Sequence, residues 1–472
     1  MTDGGIRRRL VRDTAWYGVS AALAKALALL TVPILTRTLG PEGYGLVDLA
    51  TSTAALLTLV ALLSADIPAT RLHALADPHS RLRTVSSYVW VVAIVSVLVA
   101  AVLLPASSLL ATYAWGDADA TTLAVLSLVL VPVSAIQMAL AQTQRILSRP
   151  RTFAALSLID LGAQLGLAVL LVLVGFGPSG VVLGFIGGSV IGLAAAAVAS
   201  VSVLRAAPDR AAARSIAAGG VRFLPFVTAF VLAEWIVRAT LANVVGIAAV
   251  ASFGVALRLA SLLTLVGAAF SMAWGPMGLA RERGPATSRL FARALAGYGA
   301  ASVATALLLA ALGPELTSLV AGDGYEGAAV ILPGLALAAA LAGTEYVLVV
   351  AAGIADRGGR VALASITGAI VQVVATIVAV PTFGIAAVGP AAVLGRLVSF
   401  SILLLSVRAD VAYRTSLLGL AGIGAIGIAL LLQLRIAAGT DPGIVRWAVA
   451  VALAGVVLTI AARDFAPRRV AD

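Results

Sequence analysis

The chain has 472 residues, of which 61% are hydrophobic and 11% charged, against about 45–50% and about 25% in soluble domains. A globular fold this apolar could not cover itself with polar surface, so water-soluble enzyme classes are excluded and an integral membrane protein is expected. Cysteine is absent, which rules out disulfide frameworks and thiolate zinc sites, and the net charge of +11 has to be judged by where the charges sit.

Apolar runs of about 20 residues are long enough to cross the hydrocarbon core as helices. Fourteen follow one another, at 14–38, 44–68, 85–112, 120–143, 153–175, 181–204, 221–246, 251–280, 294–313, 327–352, 361–380, 384–407, 416–434 and 446–462. They are mostly Ala, Leu and Val without strand-like alternation, so the fold class is an all-α polytopic membrane protein and not a β-barrel. The first run is too long for the apolar core of a cleaved signal, and Arg7, Arg8 and Arg9 read as topology anchors. With the N-terminus inside, 25 of the 32 Lys and Arg residues fall on inner segments, three on outer connections and four within spans. That asymmetry predicts a multi-pass protein of the cytoplasmic membrane with both termini in the cytoplasm. It also removes the nucleic-acid reading of the basic charge, which is spread over eight short segments.

Spans 1–6 repeat as spans 7–12. Tyr44-Gly45 matches Phe253-Gly254, Asp77-Pro78 matches Gly284-Pro285, and Ser80-Arg81 matches Ser288-Arg289. Pro105 matches Pro314, Ser157 and Gln164 match Ser365 and Gln372, and Phe176-Gly177 matches Phe383-Gly384, with offsets between 207 and 209. Six is an even number of crossings, so the two copies enter from the same side as a parallel repeat, with a substrate path expected between the halves. Residues 1–208 are expected to form one six-helix bundle, 209–410 a second, and 411–472 an accessory pair of spans with a cytoplasmic tail. No loop is long enough to house a soluble catalytic domain, so the protein is not expected to be an enzyme.

Three motifs are set aside. Gly175-Phe176-Gly177-Pro178-Ser179-Gly180 satisfies a dinucleotide fingerprint but follows an apolar helix, and reads as the outer turn between spans 5 and 6. His73 and His79 share one inner loop with Arg71 and Arg81 and read as solvated residues, so no metal site and no bound cofactor are expected. Gly184, Gly188 and Gly192 recur every four residues on span 6 and predict a packing seam for a neighbouring helix.

The run Thr31-Val32-Pro33-Ile34-Leu35-Thr36-Arg37-Thr38-Leu39-Gly40-Pro41-Glu42-Gly43-Tyr44-Gly45 resembles the first hairpin of oligosaccharide flippases. These are the Wzx-like polysaccharide biosynthesis proteins of the multidrug/oligosaccharidyl-lipid/polysaccharide exporter (MOP) superfamily. The resemblance continues at Arg145–Pro150, Arg222-Phe223-Leu224-Pro225, Trp274-Gly275-Pro276 and Pro381-Thr382-Phe383-Gly384-Ile385-Ala386-Ala387. It implies a transporter that flips a polyprenyl-diphosphate-linked oligosaccharide from the inner to the outer leaflet by alternating access. It also implies work beside a polysaccharide polymerase or glycosyltransferases, with coupling to the membrane potential, Na⁺ or H⁺ left open.

An ionisable residue in mid-bilayer costs about 2.5–3.5 kcal/mol on the insertion scale, so each is a functional candidate. The cations are Lys25, Arg238, Arg258 and Arg396; the acids are Asp160, Glu234 and Glu345. Glu234 and Arg238 are one helical turn apart and are expected to neutralise each other, while Asp48 and Asp66 lie near span ends and read as interfacial. Asp160, Glu234 and Glu345 are candidates for a cavity ion pair or for ion coupling. A diphosphate crossing hydrocarbon needs cationic partners, and the resemblance implies a cavity built largely from spans 1, 2, 7 and 8, which favours Lys25 and Arg258. Arg238 and Arg396 complete the candidate cationic set. Two other readings stand beside this one: an ion-coupled multidrug exporter of the same superfamily, and a non-transporting scaffold of an envelope-synthesis complex. An exporter of cationic drugs would want an acidic cavity, which four cations against three acids do not favour.

Overall fold

In the computed structural model, described for residues 3–263, 267, 270, 274, 284–407 and 447–457 and for side chains from residue 23 onward, the regular elements are all helical. They are α1 (Asp3–Leu62), α2 (Asp66–Leu75), α3 (Arg81–Leu103), α4 (Thr121–Ile146), α5 (Pro150–Leu173), α6 (Gly177–Ala199) and α7 (Arg210–Val244). Then come α8 (Ile247–Ala260), α9 (Pro285–Ala311), α10 (Gly313–Val320), α11 (Glu326–Ile354), α12 (Gly358–Phe383), α13 (Val388–Val407) and α14 (Trp447–Val457).

Nine stretches among the described residues are long and apolar enough to cross a membrane. Two of them, Leu23–Leu75 and Gly358–Val407, run 53 and 50 residues. At about 1.5 Å per residue either would reach more than twice the roughly 30 Å of hydrocarbon, so each holds two crossings. The breaks are chemical. In α1, Gly40 takes φ 67 and ψ 176 immediately before Pro41, a place where the α conformation is disfavoured and glycine alone pays no steric cost. Gly384, at φ 59, ends α12 in the same manner. The protein is therefore a polytopic helical membrane protein. Span 13 and the ends of span 14 lie outside the described residues, as does most of the C-terminal half of span 8.

Two compact units divide the chain, Met1–Ala251 and Ser252–Asp472. In the first, α5 and α6 form an intimate pair, α4 covers α6, and α7 lies along α1, α2 and α3. Val85, Tyr88, Ala139, Leu140 and Ile216 form part of its buried core. The N-terminal end of α3 is stitched to the chain entering α7: Ser86 Oγ donates to Ala206 O at 2.7 Å, and the Asp209 amide donates to Ser87 Oγ at 2.8 Å. In the second unit α9, α11 and α13 pack together and α12 pairs with α13. Val303, Leu307 and Leu341 bury there against Val457 of α14.

The seam expected on span 6 is present. A methyl group on Gly184 would overlap the backbone of Ala168, one on Gly188 the backbone of Gln164, and one on Gly192 the carboxylate of Asp160. Backbone-to-backbone contact of this kind lets two membrane helices gain dispersion energy where water supplies no driving force.

The repeat is visible in the turns. Left-handed residues recur as Gly116 and Gly324, as Ser148 and Asp356, and as Gly177 and Gly384, spaced by 208, 208 and 207 positions. The middle pair closes α4 and α11 identically: the Arg149 amide reaches Gln144 O at 2.7 Å, and the Arg357 amide reaches Ala352 O at 2.9 Å.

Candidate functional site

Charge placement in the first unit is governed by α1 and α7. The second limb of α1 is apolar enough to span the membrane yet carries Asp48 and Thr53, five positions apart. Facing them on α7 are Trp235 and Arg238, three apart and so on one side of the helix. Arg238 Nε donates to Asp48 Oδ2 at 2.8 Å, with both side chains almost fully buried. One turn deeper, Trp235 Nε1 donates to Thr53 Oγ1 at 2.9 Å. At the far end of α7, Asn243 Nδ2 donates to the carbonyls of Tyr113 and Ala114, at 3.2 and 3.1 Å, where the chain leaves α3 through irregular turns.

The sequence expectation paired Arg238 with the Glu234 carboxylate. The structure shows Nε bonded to Asp48, and Nη1 to the backbone carbonyl of Glu234 at 3.1 Å. Asp48, read as interfacial, is 3% exposed. Its position in the sequence carries no sign of this, because its burial and its bond to α7 come from packing between distant helices. Glu234 itself is half-buried on α7.

Asp160 belongs to a second polar cluster. Gln164 Nε2 donates to Asp160 Oδ2 at 3.0 Å and to Ser189 Oγ at 3.0 Å, and Ser189 Oγ lies 3.2 Å from Ser134 Oγ. Three helices, α4, α5 and α6, thus share one network. Asp160 Oδ1 is buried without a hydrogen-bond partner, a costly arrangement in low dielectric. In the second unit Arg396 Nη1 lies 3.5 Å from Glu345 Oε2, bridging α13 and α11. Lys25 is half-buried on the first limb of α1, and Arg258 is half-buried in the last turn of α8. The structure thus joins Arg238 to Asp48 and Arg396 to Glu345, couples Asp160 to a glutamine and two serines, and leaves Lys25 and Arg258 on separate helices. No cluster of three metal-ligating side chains occurs among the described residues.

Residues 10–228 match the family described as polysaccharide biosynthesis protein. The family resemblance read in the sequence is borne out. No curated protein matches the chain. Among solved structures, the lipid II flippase MurJ in an inward closed conformation aligns with a TM-score of 0.69 at 12% identity, over 95% of this chain and 98% of that one. An inward-facing multidrug-resistance MATE transporter of the MOP superfamily aligns with a TM-score of 0.61 at 20% identity, over 82% and 94%. A MOP superfamily transporter from Pyrococcus furiosus aligns with a TM-score of 0.55 at 18% identity, over 85% and 95%; it is described as having a binding pocket of reverse polarity that suggests a different function. At these identities the likeness establishes the fold, which is that of the MOP-superfamily transporters.

Proposed function

We propose that this protein flips a polyprenyl-diphosphate-linked oligosaccharide from the inner to the outer leaflet of the cytoplasmic membrane, for cell-surface polysaccharide synthesis. The observation that carries the reading is the polysaccharide-biosynthesis match over residues 10–228, which favours a glycan-linked cargo over a drug. Both termini lie in the cytoplasm, following the distribution of Lys and Arg.

The chemistry of the cargo supports the choice. A diphosphate brings about two negative charges into a medium where an unpaired anion costs several kcal/mol at least. Lys25 and Arg258 are our candidate counter-charges, on the first limb of α1 and on α8, helices of the spans that the family resemblance assigns to the cavity. Arg258 supplies a planar fork suited to phosphate oxygens and Lys25 a point charge. Asp160, with one buried oxygen free of hydrogen bonds, is our candidate for engaging a coupling cation. A glycan polymerase or glycosyltransferases receive or supply the cargo. Depleting the protein tests the reading: lipid-linked oligosaccharide should accumulate facing the cytoplasm, and accumulation of an intracellular cationic drug instead would favour the exporter.

A further inference from the structure

The two repeats differ where their fourth and sixth spans end on the inner side. In the first repeat the carbonyl of Ala199, at the end of α6, accepts a hydrogen bond from Gln144 Nε2 at 3.4 Å. Gln144 and Thr143 also bond Ser200, at 2.9 and 3.1 Å, so neutral side chains fill that corner. The equivalents of Thr143 and Gln144 in the second repeat are Ala351 and Ala352, which cannot fill it. There the carbonyl of Ser406, the counterpart of Ala199, is reached by Nη1 of Arg357. A cation has replaced a neutral amide, and the space left is a cavity of about 570 Å³ lined by Arg357, Arg360, Ile402, Leu405 and Ser406.

We propose that this cavity binds the phosphate of an anionic phospholipid of the inner leaflet, at a site separate from the transport path. Four features converge. Two guanidinium groups line one small space: exposed Arg360 can offer paired N–H donors to phosphate oxygens, and Arg357 adds positive charge beside it. The cavity borders the start of α12, whose positive dipole end favours an anion and whose first turn carries no acidic residue. Side chains are absent there: an added methyl group on Gly358 or Gly359 would meet nothing within 4 Å, so a ligand can approach the backbone. The remaining wall is apolar, with Leu405 62% exposed, which suits the glycerol and first methylenes of a lipid and offers little to a hydrated free ion. Basic pockets between membrane helices on the cytoplasmic side are known to take anionic headgroups. That this end faces the inner leaflet rests on the orientation proposed above; binding itself does not.

The test uses purified full-length protein, delipidated in a neutral detergent, with binding followed by native mass spectrometry and thermal shift. Dioleoylphosphatidylglycerol should bind and raise the melting temperature, whereas dioleoylphosphatidylcholine and inorganic phosphate should do neither. Arg360→Gln should weaken phosphatidylglycerol binding at least tenfold, and Arg357→Gln further, while Arg289→Gln, on a different inner segment, should leave it unchanged. Arg357 also bonds Ser406 O, so Arg360→Gln is the variant that keeps the outcome separate from folding. Equal binding by the parent and Arg360→Gln, or equal binding of phosphatidylcholine, would overturn the proposal. Saturation by inorganic phosphate at the same arginines would replace the lipid with a free anion and equally defeat it. None of these results depends on whether the protein moves oligosaccharide.

Discussion

The buried pair Asp48–Arg238 admits a quantitative test. Its members are 3% and 7% exposed and 2.8 Å apart, on the second limb of α1 and on α7. Breaking a buried ion pair by removing one partner costs about 3–5 kcal/mol, whereas replacing both with apolar residues is close to neutral. Arg238 also donates to the Glu234 carbonyl, so its removal forfeits about 1 kcal/mol more. Asp48→Leu should therefore destabilise the protein by about 3–5 kcal/mol and Arg238→Met by slightly more. The double variant should regain most of the loss, giving a coupling energy of about 3 kcal/mol or more between contacting residues. Reversible unfolding in bicelles, followed by tryptophan fluorescence, measures each corner of the cycle. Single losses below about 1 kcal/mol, or a double variant whose loss is the sum of the two, would refute the reasoning, because a surface-like pair behaves that way.

Three further outcomes follow from the same packing. Gly188→Ala should destabilise by about 1–3 kcal/mol, since the methyl group meets the Gln164 backbone, whereas Gly162→Ala and Gly166→Ala, open in the same region, should stabilise slightly; unfolding midpoints decide it. Trp235→Phe should cost about 1 kcal/mol by leaving Thr53 without its indole donor, and in a Thr53→Val background the same change should cost clearly less. Arg210→Cys, exposed at the start of α7 in a chain with no native cysteine, should resist an impermeant thiol reagent in intact cells and react after permeabilisation; labelling in intact cells would invert the topology.

Much of the fold is written in local pattern. The Gly40-Pro41 break, the apolar runs and the four-residue spacing of Gly184, Gly188 and Gly192 act within one or two helices, where hydropathy and backbone sterics decide. The repeat was legible because proline and glycine punctuate turns, and the left-handed residues Gly116 and Gly324 stand where that spacing requires. Partner choice was not legible. Arg238 has a carboxylate one turn away on its own helix, and the acid bonded to its Nε is 190 positions earlier. Asp48 looked interfacial because hydropathy reports distance along a span and not which neighbour covers it. Arg396 and Glu345 are 51 positions apart on α13 and α11, and nothing in either local sequence names the other. The Gln144–Ser200 contact that distinguishes the two repeats joins the ends of two helices, again beyond the reach of periodicity.

The most direct measurement is flipping by purified protein in vesicles loaded with a polyprenyl-diphosphate-linked oligosaccharide, scored by an impermeant enzyme that modifies only the exposed glycan. A membrane potential supplies about 2.3 kcal/mol per charge per 100 mV, so a dianion leaving a negative interior gains about 4–5 kcal/mol if its charge crosses the whole field. The account predicts protein-dependent translocation that quickens with an inside-negative potential, is partly kept in Arg258→Lys and Lys25→Arg, and is lost in Arg258→Ala and Lys25→Met. Stable Arg258→Ala and Lys25→Met proteins that flip at the parental rate would contradict the cationic site, and a parent protein that leaves the oligosaccharide in place would contradict the flippase.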